Sequence, residues 1–106
     1  MPKYMYKVSY TQQGLAGLMS QGADARVAQI GKIVEANGGN LETFYFAFGE
    51  TDAYVINDLP NDTAAAALAL AVTNSGTGSV ETVKLLTPGE VDEARGMQTG
   101  YVPPGA

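Results

Sequence analysis

The pattern of apolar and polar positions along the chain predicts alternating strands and helices. Residues 3–10 place aromatic and β-branched side chains at every second position, which is the period of a β-strand. Residues 24–37 repeat apolar side chains every three or four positions, as an amphipathic helix does, and Asp24 is the expected N-cap of that helix. Further strands are predicted over residues 41–48, 53–57 and 80–86, and further helices over residues 12–19, 63–73 and 88–95.

The segment around Gly49 determines how these elements are ordered. Two apolar runs, residues 44–48 and 53–56, flank the short sequence Gly-Glu-Thr-Asp, which predicts a β-hairpin. The hairpin lies between two predicted helices, so the order is strand, helix, strand, strand, helix, strand. We therefore predict an α+β fold of the ferredoxin-like βαββαβ type, with a four-stranded antiparallel sheet.

Local signals indicate where the helices begin and where the chain approaches itself. Thr11, Asn61 or Asp62, and Thr87 are the expected N-caps of the helices that follow them, with a capping box at Thr87. Gly14 and Gly17 each weaken the first helix by roughly 1 kcal/mol relative to Ala, and they also permit close backbone approach.

The length of 106 residues predicts one domain, over residues 1–95, followed by a tail over residues 96–106. The tail has few apolar residues, and we expect it to be flexible or packed on a neighbouring subunit. Both main helices of this fold lie on one face of the sheet, and strand 41–48 is apolar on both of its faces. The sequence thus predicts at least a dimer, formed through the uncovered sheet face.

Charge and composition narrow the function classes. Six basic residues against eleven acidic ones give a net charge of −5, which argues against nucleic acid as a partner. The same charge disfavours an exposed sheet whose aromatic residues stack on RNA bases. The chain has no Cys and no His, so we expect no metal and no cofactor. Residues 64–72 form the longest apolar run, too short to span a bilayer, and without a signal-peptide pattern we expect a cytoplasmic location.

Five side chains are candidates for binding a ligand: Tyr6, Tyr54, Asp52, Arg26 and Thr11. A phenol in a pocket can donate a hydrogen bond to a carbonyl, and an arginine can hold an anionic group. Each candidate also has a purely structural explanation. The tyrosines can pack in a core or interface, Asp52 can bond the backbone of its turn, Arg26 can be solvated, and Thr11 can cap its helix.

Lys7 is expected on the sheet face opposite the tyrosines of its strand. A buried, unpaired lysine would be costly, so we predict an ion pair with Glu42 or Glu81 across strands.

Several motifs together resemble one family. They are a Tyr-rich first strand, Thr11-Gln12-Gln13-Gly14, Gly38-Gly39, Gly49-x-x-Asp52, Leu59-Pro60-Asn61-Asp62 and Thr87-Pro88-Gly89-Glu90-Val91. The chain resembles the GYD domain family over residues 4–95, which implies a ferredoxin-like fold related to the dimeric α/β barrels. The family motif is Gly-x-Tyr-Asp, and this chain has Thr51 where the family has Tyr.

Two functional hypotheses follow. The first is a small oligomeric domain that binds a small molecule or a partner without catalysis. The second is a cofactor-free enzyme, monooxygenase- or isomerase-like, in which Tyr6, Tyr54 and Asp52 act on a small aromatic or carbonyl compound. A cavity between sheet and helices that holds two convergent polar groups would favour the enzyme, and a filled interior would favour the binding or assembly role.

Overall fold

A computed structural model describes residues 1–105, and its elements occur in the predicted order. They are β1 (Lys3–Tyr10), α1 (Gln12–Gln21), α2 (Ala23–Ala36), β2 (Asn40–Phe46), β3 (Ala53–Asp58), α3 (Asp62–Asn74), β4 (Gly78–Leu85) and α4 (Pro88–Arg95). None of the helices within residues 1–105 combines the length and the apolar character needed to cross a membrane.

The four strands form one antiparallel sheet in the order β2-β3-β1-β4. This arrangement confirms the predicted α+β, ferredoxin-like fold. β1 is central and pairs with β3 on one side and β4 on the other, so Tyr6 lies opposite both Val55 and Thr82. A register shift between Leu41 and Thr43 interrupts the edge strand β2.

The core lies between α2, α3 and one face of the sheet, which we call the inner face. Tyr4 and Tyr6 of β1 are buried there with Val55 of β3, because residues two apart in a strand share a face. Val34 of α2 and Ala65 of α3 complete the contact from the helix side.

Side-chain caps begin three of the helices as predicted. The Thr11 hydroxyl accepts from the Gly14 amide, Asn61 caps α3, and Thr87 with Glu90 forms a capping box at α4. The expectation that Asp24 caps α2 is wrong. Gly22, at φ 88°, provides the turn between α1 and α2, and Asp24 lies in the first turn of α2, where its charge favours the helix N-terminus.

The hairpin between β2 and β3 is longer than predicted. The Ala47 amide donates to the Asp52 carbonyl at 2.8 Å, and the chain then leaves the sheet. β2 therefore ends at Phe46, two residues earlier than expected. Phe48, which the predicted strand 41–48 included, instead lies in the loop with its side chain fully exposed.

The other side of the sheet, which we call the outer face, carries the remaining set of alternate residues. Met5, Ile56 and Val83 form a half-buried apolar row across three of the four strands, β3, β1 and β4. Ion pairs flank the row, and Lys7 lies 3.5 Å from Glu81, which confirms the predicted pairing. Lys3 is paired with both Glu42 and Asp58.

The chain continues beyond β4 as a C-terminal arm, which we define as residues 86–105. Every residue of the arm is exposed, and no residue of α4 is buried. The radius of gyration is 16.8 Å and the longest extent is 57 Å, against a radius of about 13 Å for a compact domain of this length. The arm therefore extends away from the folded body. The last residue of the predicted tail, Ala106, lies outside the described residues.

The two glycines of α1 provide a matched test of the packing. A Cβ on Gly14 would lie 1.8 Å from the Thr77 carbonyl oxygen, whereas a Cβ on Gly17 would meet no atom within 4 Å. The predicted close approach of the backbone is therefore confirmed at Gly14 alone.

We expect Gly14→Ala to lower the free energy of unfolding by about 2 kcal/mol or more, because α1 must shift away from Thr77. Gly17→Ala should raise it by up to about 1 kcal/mol, because Ala is the better helix former. Urea denaturation of the two variants checks both signs. Equal effects of the two substitutions would contradict this packing.

Candidate functional site

A cavity of about 360 Å³ lies between the inner face of the sheet and helices α2 and α3. The sheet contributes Tyr6, Val8, Phe44, Val55 and Val80 to its wall. The helices contribute mainly aliphatic side chains, Ile30, Ile33 and Val34 from α2, and Leu68, Ala69, Ala71 and Val72 from α3. The wall is therefore largely apolar, with aromatic rings on the sheet side.

The small side chains of α3 explain why space remains beneath this helix. Ala65 is buried and its carbonyl reaches the Tyr6 hydroxyl, so the first turn of α3 lies close to the sheet. One turn later, Ala69 presents only a methyl group to the interior. Helices normally pack closely on a sheet, so a half-open space of this size between them is a specific feature of the sequence.

The Tyr6 hydroxyl donates a hydrogen bond of 2.6 Å to the main-chain carbonyl of Ala65. Burial, with a smaller contribution from Tyr4, raises the pKa of Tyr6 to about 12. Tyr6 therefore stays protonated at neutral pH, and its proton is held by the helix backbone.

Asn57 is the most buried polar side chain near the cavity. It lies on the inner face of β3, lines the cavity and is 0% exposed. Neither its Nδ2 nor its Oδ1 has a hydrogen-bond partner within residues 1–105. A buried amide of this kind is costly to leave unpaired, and such groups are rare in folded proteins.

The other end of the cavity is polar, with Arg26, Tyr10, Ser75 and Thr77 in its wall. Arg26 donates to the side-chain oxygen of Gln29 at 3.0 Å. Burial is the main reason why the pKa of Tyr10 is raised, and the neighbouring Arg26 opposes the rise. This end can therefore offer a positive charge and hydroxyl groups to a ligand.

The structure brings two of the five candidate residues to this cavity, namely Tyr6 and Arg26. Tyr54 lies on the outer face, because it is adjacent to Val55 in β3 and successive side chains of a strand point to opposite faces. The Thr11 side chain caps α1 and also donates to the Gly76 carbonyl at 2.6 Å.

Asp52 bonds to the backbone rather than lining the cavity. Its Oδ2 accepts from the Tyr10 amide at 2.8 Å, and its own amide donates to the Val8 carbonyl. Asp52 thus connects the hairpin to the end of β1. The neighbouring Thr51, where the family motif has Tyr, lines a second, smaller pocket with Lys7 and Glu81.

Asn57 and Tyr10 were missed as site residues by the sequence reasoning. The available signal for Asn57 was the alternation of side chains along the strand. Asn57 lies two residues after Val55 and four after Ala53, so all three share the inner face. An amide at such a position is unusual in a strand that is otherwise apolar on that face.

A second polar cluster lies outside the cavity. The Tyr4 hydroxyl donates to Asp62, which also pairs with Lys84 at 3.3 Å. The hydrogen bond to Asp62, followed by burial, raises the pKa of Tyr4 to about 12, and the same bond lowers the pKa of Asp62. Within residues 1–105 no three acidic side chains are grouped closely enough to hold a metal ion.

Comparison with known proteins identifies one family. The model of the GYD domain matches residues 4–94, which is nearly the whole chain. No curated protein and no solved structure matches the chain.

The raised pKa of Tyr6 makes its contribution to stability dependent on pH. A phenol whose pKa is higher in the folded state stabilises the fold below the unfolded pKa near 10, and this contribution is lost as the pH rises toward about 12. We expect Tyr6→Phe to destabilise the protein by roughly 1–2 kcal/mol at pH 7, because the buried hydrogen bond from the Tyr6 hydroxyl to the Ala65 carbonyl is lost.

The difference between the wild type and Tyr6→Phe should then shrink between pH 10 and pH 12. Chemical denaturation of both proteins at several pH values measures this difference. A difference that stays constant across this range would show that Tyr6 does not titrate as described.

Proposed function

The chain belongs to the GYD domain family, and we propose that it is a binding protein whose small-molecule ligand occupies the cavity between the sheet and helices α2 and α3. The observation that carries this proposal is the cavity itself. Its volume of about 360 Å³ falls in the range of small-molecule sites, and its wall is apolar with a few polar groups.

The distribution of groups along the wall supports a ligand with an apolar, partly aromatic body. Phe44 and Tyr6 offer ring faces and edges, and the aliphatic side chains of α2 and α3 lie on the opposite side. Arg26 and Tyr10 at the polar end would interact with a polar or anionic substituent of the ligand.

The chemistry of the lining supports binding rather than catalysis. Tyr6 is protonated at neutral pH and donates to a backbone carbonyl, so it is a poor proton acceptor. Tyr54 and Asp52, the partners that an enzyme would have used with Tyr6, are not among the lining residues. A cavity with two convergent polar groups would have favoured the enzyme, whereas here the Tyr6 hydroxyl is bonded to the Ala65 carbonyl, and Arg26 and Tyr10 line the other end of the cavity.

Filling the cavity should weaken binding while leaving the fold intact. In Ala69→Leu, a larger side chain occupies the space beneath α3, whereas Ala67→Leu places the same side chain on the exposed surface of the same helix. We expect Ala69→Leu to weaken binding of the fluorescent apolar probe N-phenyl-1-naphthylamine about tenfold or more, since single methylene groups matter in apolar pockets. Ala67→Leu should bind as the wild type does.

The measurement is a fluorescence titration that gives both affinity and stoichiometry. One probe per chain, with binding that depends on residue 69 and not on residue 67, supports the proposal. Absence of binding, or equal binding by both variants, would overturn it.

The outer face supports a second proposal, in which two copies of the chain associate through their sheets. Its apolar row of Met5, Ile56 and Val83 is uncovered by any helix of the same chain. The lysines beside the row are already paired with carboxylates of the same face, so the face has little net charge to repel a second copy.

The C-terminal arm adds to the support for a dimer. The exposed side chains of Val91, Met97, Tyr101 and Val102 have no apolar cover from their own chain. An arm that projects from an edge strand can bury them on a partner subunit, which agrees with the sequence expectation for the tail.

A charge placed in the apolar row should prevent this association. We expect Ile56→Lys to convert a dimer of about twice 11.0 kDa into a monomer, because an unpaired ammonium would be buried at the interface. Leu70→Lys, on the exposed side of α3, is the matched control and should remain dimeric. Sedimentation equilibrium at micromolar concentration distinguishes the outcomes, and a monomeric wild type would contradict the proposal.

A further inference from the structure

We infer that the ligand of the cavity is a monocarboxylate with an apolar body, and that its carboxylate group binds beside the Arg26 guanidinium and the Tyr10 hydroxyl. The apolar body would lie in the cavity against the inner face of the sheet. This inference rests on the proposed function, because it names the ligand class of the same cavity.

The first argument is the position of Arg26 where two spaces meet. A pocket of about 160 Å³, lined mainly by α1, shares Tyr10, Arg26 and Thr77 with the cavity. The Arg26 side chain is half-buried rather than extended into solvent. Burial raises the pKa of the Tyr10 phenol, and the guanidinium is close enough to oppose this rise by its charge and by hydrogen bonding. The charged end of Arg26 therefore lies beside the Tyr10 phenol, where the two spaces meet.

The second argument is that Arg26 has no carboxylate partner within residues 1–105. Ion pairs in this part of the chain engage four of the six basic side chains, namely Lys3, Lys7, Lys84 and Arg95. Arg26 instead donates to the neutral side chain of Gln29 at 3.0 Å. In a chain with eleven acidic residues, this half-buried guanidinium is still available to an external anion.

The third argument is the charge of the lining. Within residues 1–105, no Asp or Glu lines the cavity or the adjoining pocket, and Arg26 is the one charged residue in both walls. A cationic ligand would meet the guanidinium as a like charge, and a neutral ligand would leave it without a counter-charge beside an apolar wall. A carboxylate presents two oxygen atoms to the fork of donors that a guanidinium offers.

The hydroxyl groups at this end of the cavity differ in their availability. The Ser75 hydroxyl donates to the Val72 carbonyl at 2.6 Å, and the Thr77 hydroxyl lies 2.6 Å from Ser75 Oγ in a second hydrogen bond. The Tyr10 phenol lies beside the Arg26 guanidinium, which has only donors, so the phenol keeps its own proton to donate. It can therefore add a second hydrogen bond to the same carboxylate.

Nearby carboxylates limit the ligand to one negative charge. Asp52 Oδ2 accepts from the Tyr10 amide at 2.8 Å, and its charge adds to the effect of burial in raising the pKa of the Tyr10 phenol. Asp24 lies in the first turn of α2, close in sequence to Arg26. A second negative charge, as on a phosphate group, would face these carboxylates without a second cation in the wall to balance it.

The test uses three probes that share one ring system and differ in charge: the 1-naphthyl derivatives of acetate, acetamide and ethylamine. At pH 7 they are an anion, a neutral molecule and a cation. For the wild type, we expect naphthylacetate to bind roughly tenfold or more tightly than naphthylacetamide, because a charge-assisted pair replaces a neutral hydrogen bond. Naphthylethylamine should bind most weakly. Competition with N-phenyl-1-naphthylamine measures the three affinities.

Two variants that lose the same charge assign the preference to Arg26. Arg26→Gln should reduce the preference for the anion over the amide to about twofold or less, while naphthylacetamide and N-phenyl-1-naphthylamine still bind. Lys32→Gln is the matched control, because Lys32 is an exposed cation of the same helix that lines neither space. The preference should survive in Lys32→Gln. The net charge of −5 repels anions in general, so a preference for the anion must have a local origin.

The possible results separate this inference from the proposal on which it rests. If N-phenyl-1-naphthylamine binds the wild type and the three probes displace it equally, or the cation displaces it best, the cavity binds ligands but does not select carboxylates, and this inference is overturned. A preference that persists in Arg26→Gln, or that falls equally in Lys32→Gln, also overturns it. If neither N-phenyl-1-naphthylamine nor any probe binds, the proposed function and this inference both fail. The wild-type series alone can contradict the inference, so a poorly folded Arg26→Gln would not protect it.

Discussion

Two tyrosines of the central strand determine the distance between the sheet and α3. Tyr4 and Tyr6 project from the same face of β1, and their hydroxyl groups reach Asp62 and the Ala65 carbonyl on the first turns of α3. A phenol is long, so a helix held by two phenol hydroxyls lies at a spacing that alanine side chains cannot fill. The cavity agrees with this spacing, because Ala69, one turn beyond the second tether, contributes only a methyl group to the wall.

The same tethers explain why the cavity can be maintained without collapsing. Each hydroxyl is buried or partly buried, and each has a specific acceptor whose loss would leave an unpaired group in the interior. Collapse of α3 onto the sheet would have to break these bonds. The hydrogen bonds that stabilise the packing of α3 on the sheet therefore also keep this space open.

The predictability of each feature depends on whether its cause is local. Strand β1, the caps at Thr11, Asn61 and Thr87, and the order of the elements follow from periodicity and from hydrogen bonds within a few residues, and the sequence predicted them. Gly22 as the start of α2 was missed, because the preference for Asp at an N-cap competes with the need for positive φ at the turn.

The site was harder to predict than the fold, because it depends on contacts between distant segments. Aromatic character suggested Tyr54, yet pairing of Tyr6 with Val55 turns Tyr54 to the outer face. The complete burial of Asn57 depends on the neighbouring strands and on the helices packed over them, which no pattern within β3 reveals. The size of a cavity depends on small differences in the position of a helix over a sheet, and sequence patterns do not specify that position.

The two faces of the sheet differ in how their charges and apolar groups are arranged, and this difference bears on how copies of the chain would meet. On the outer face, Lys3 and Lys7 are matched by three carboxylates of the same chain. Pairs that are satisfied within one subunit gain little from a partner, since exposed ion pairs are weak. Any association through this face would thus derive its free energy from the apolar row. Association through the C-terminal arm would likewise depend on its apolar side chains. The arm carries three carboxylates against one arginine, so charge attraction to another copy of this acidic chain would contribute little.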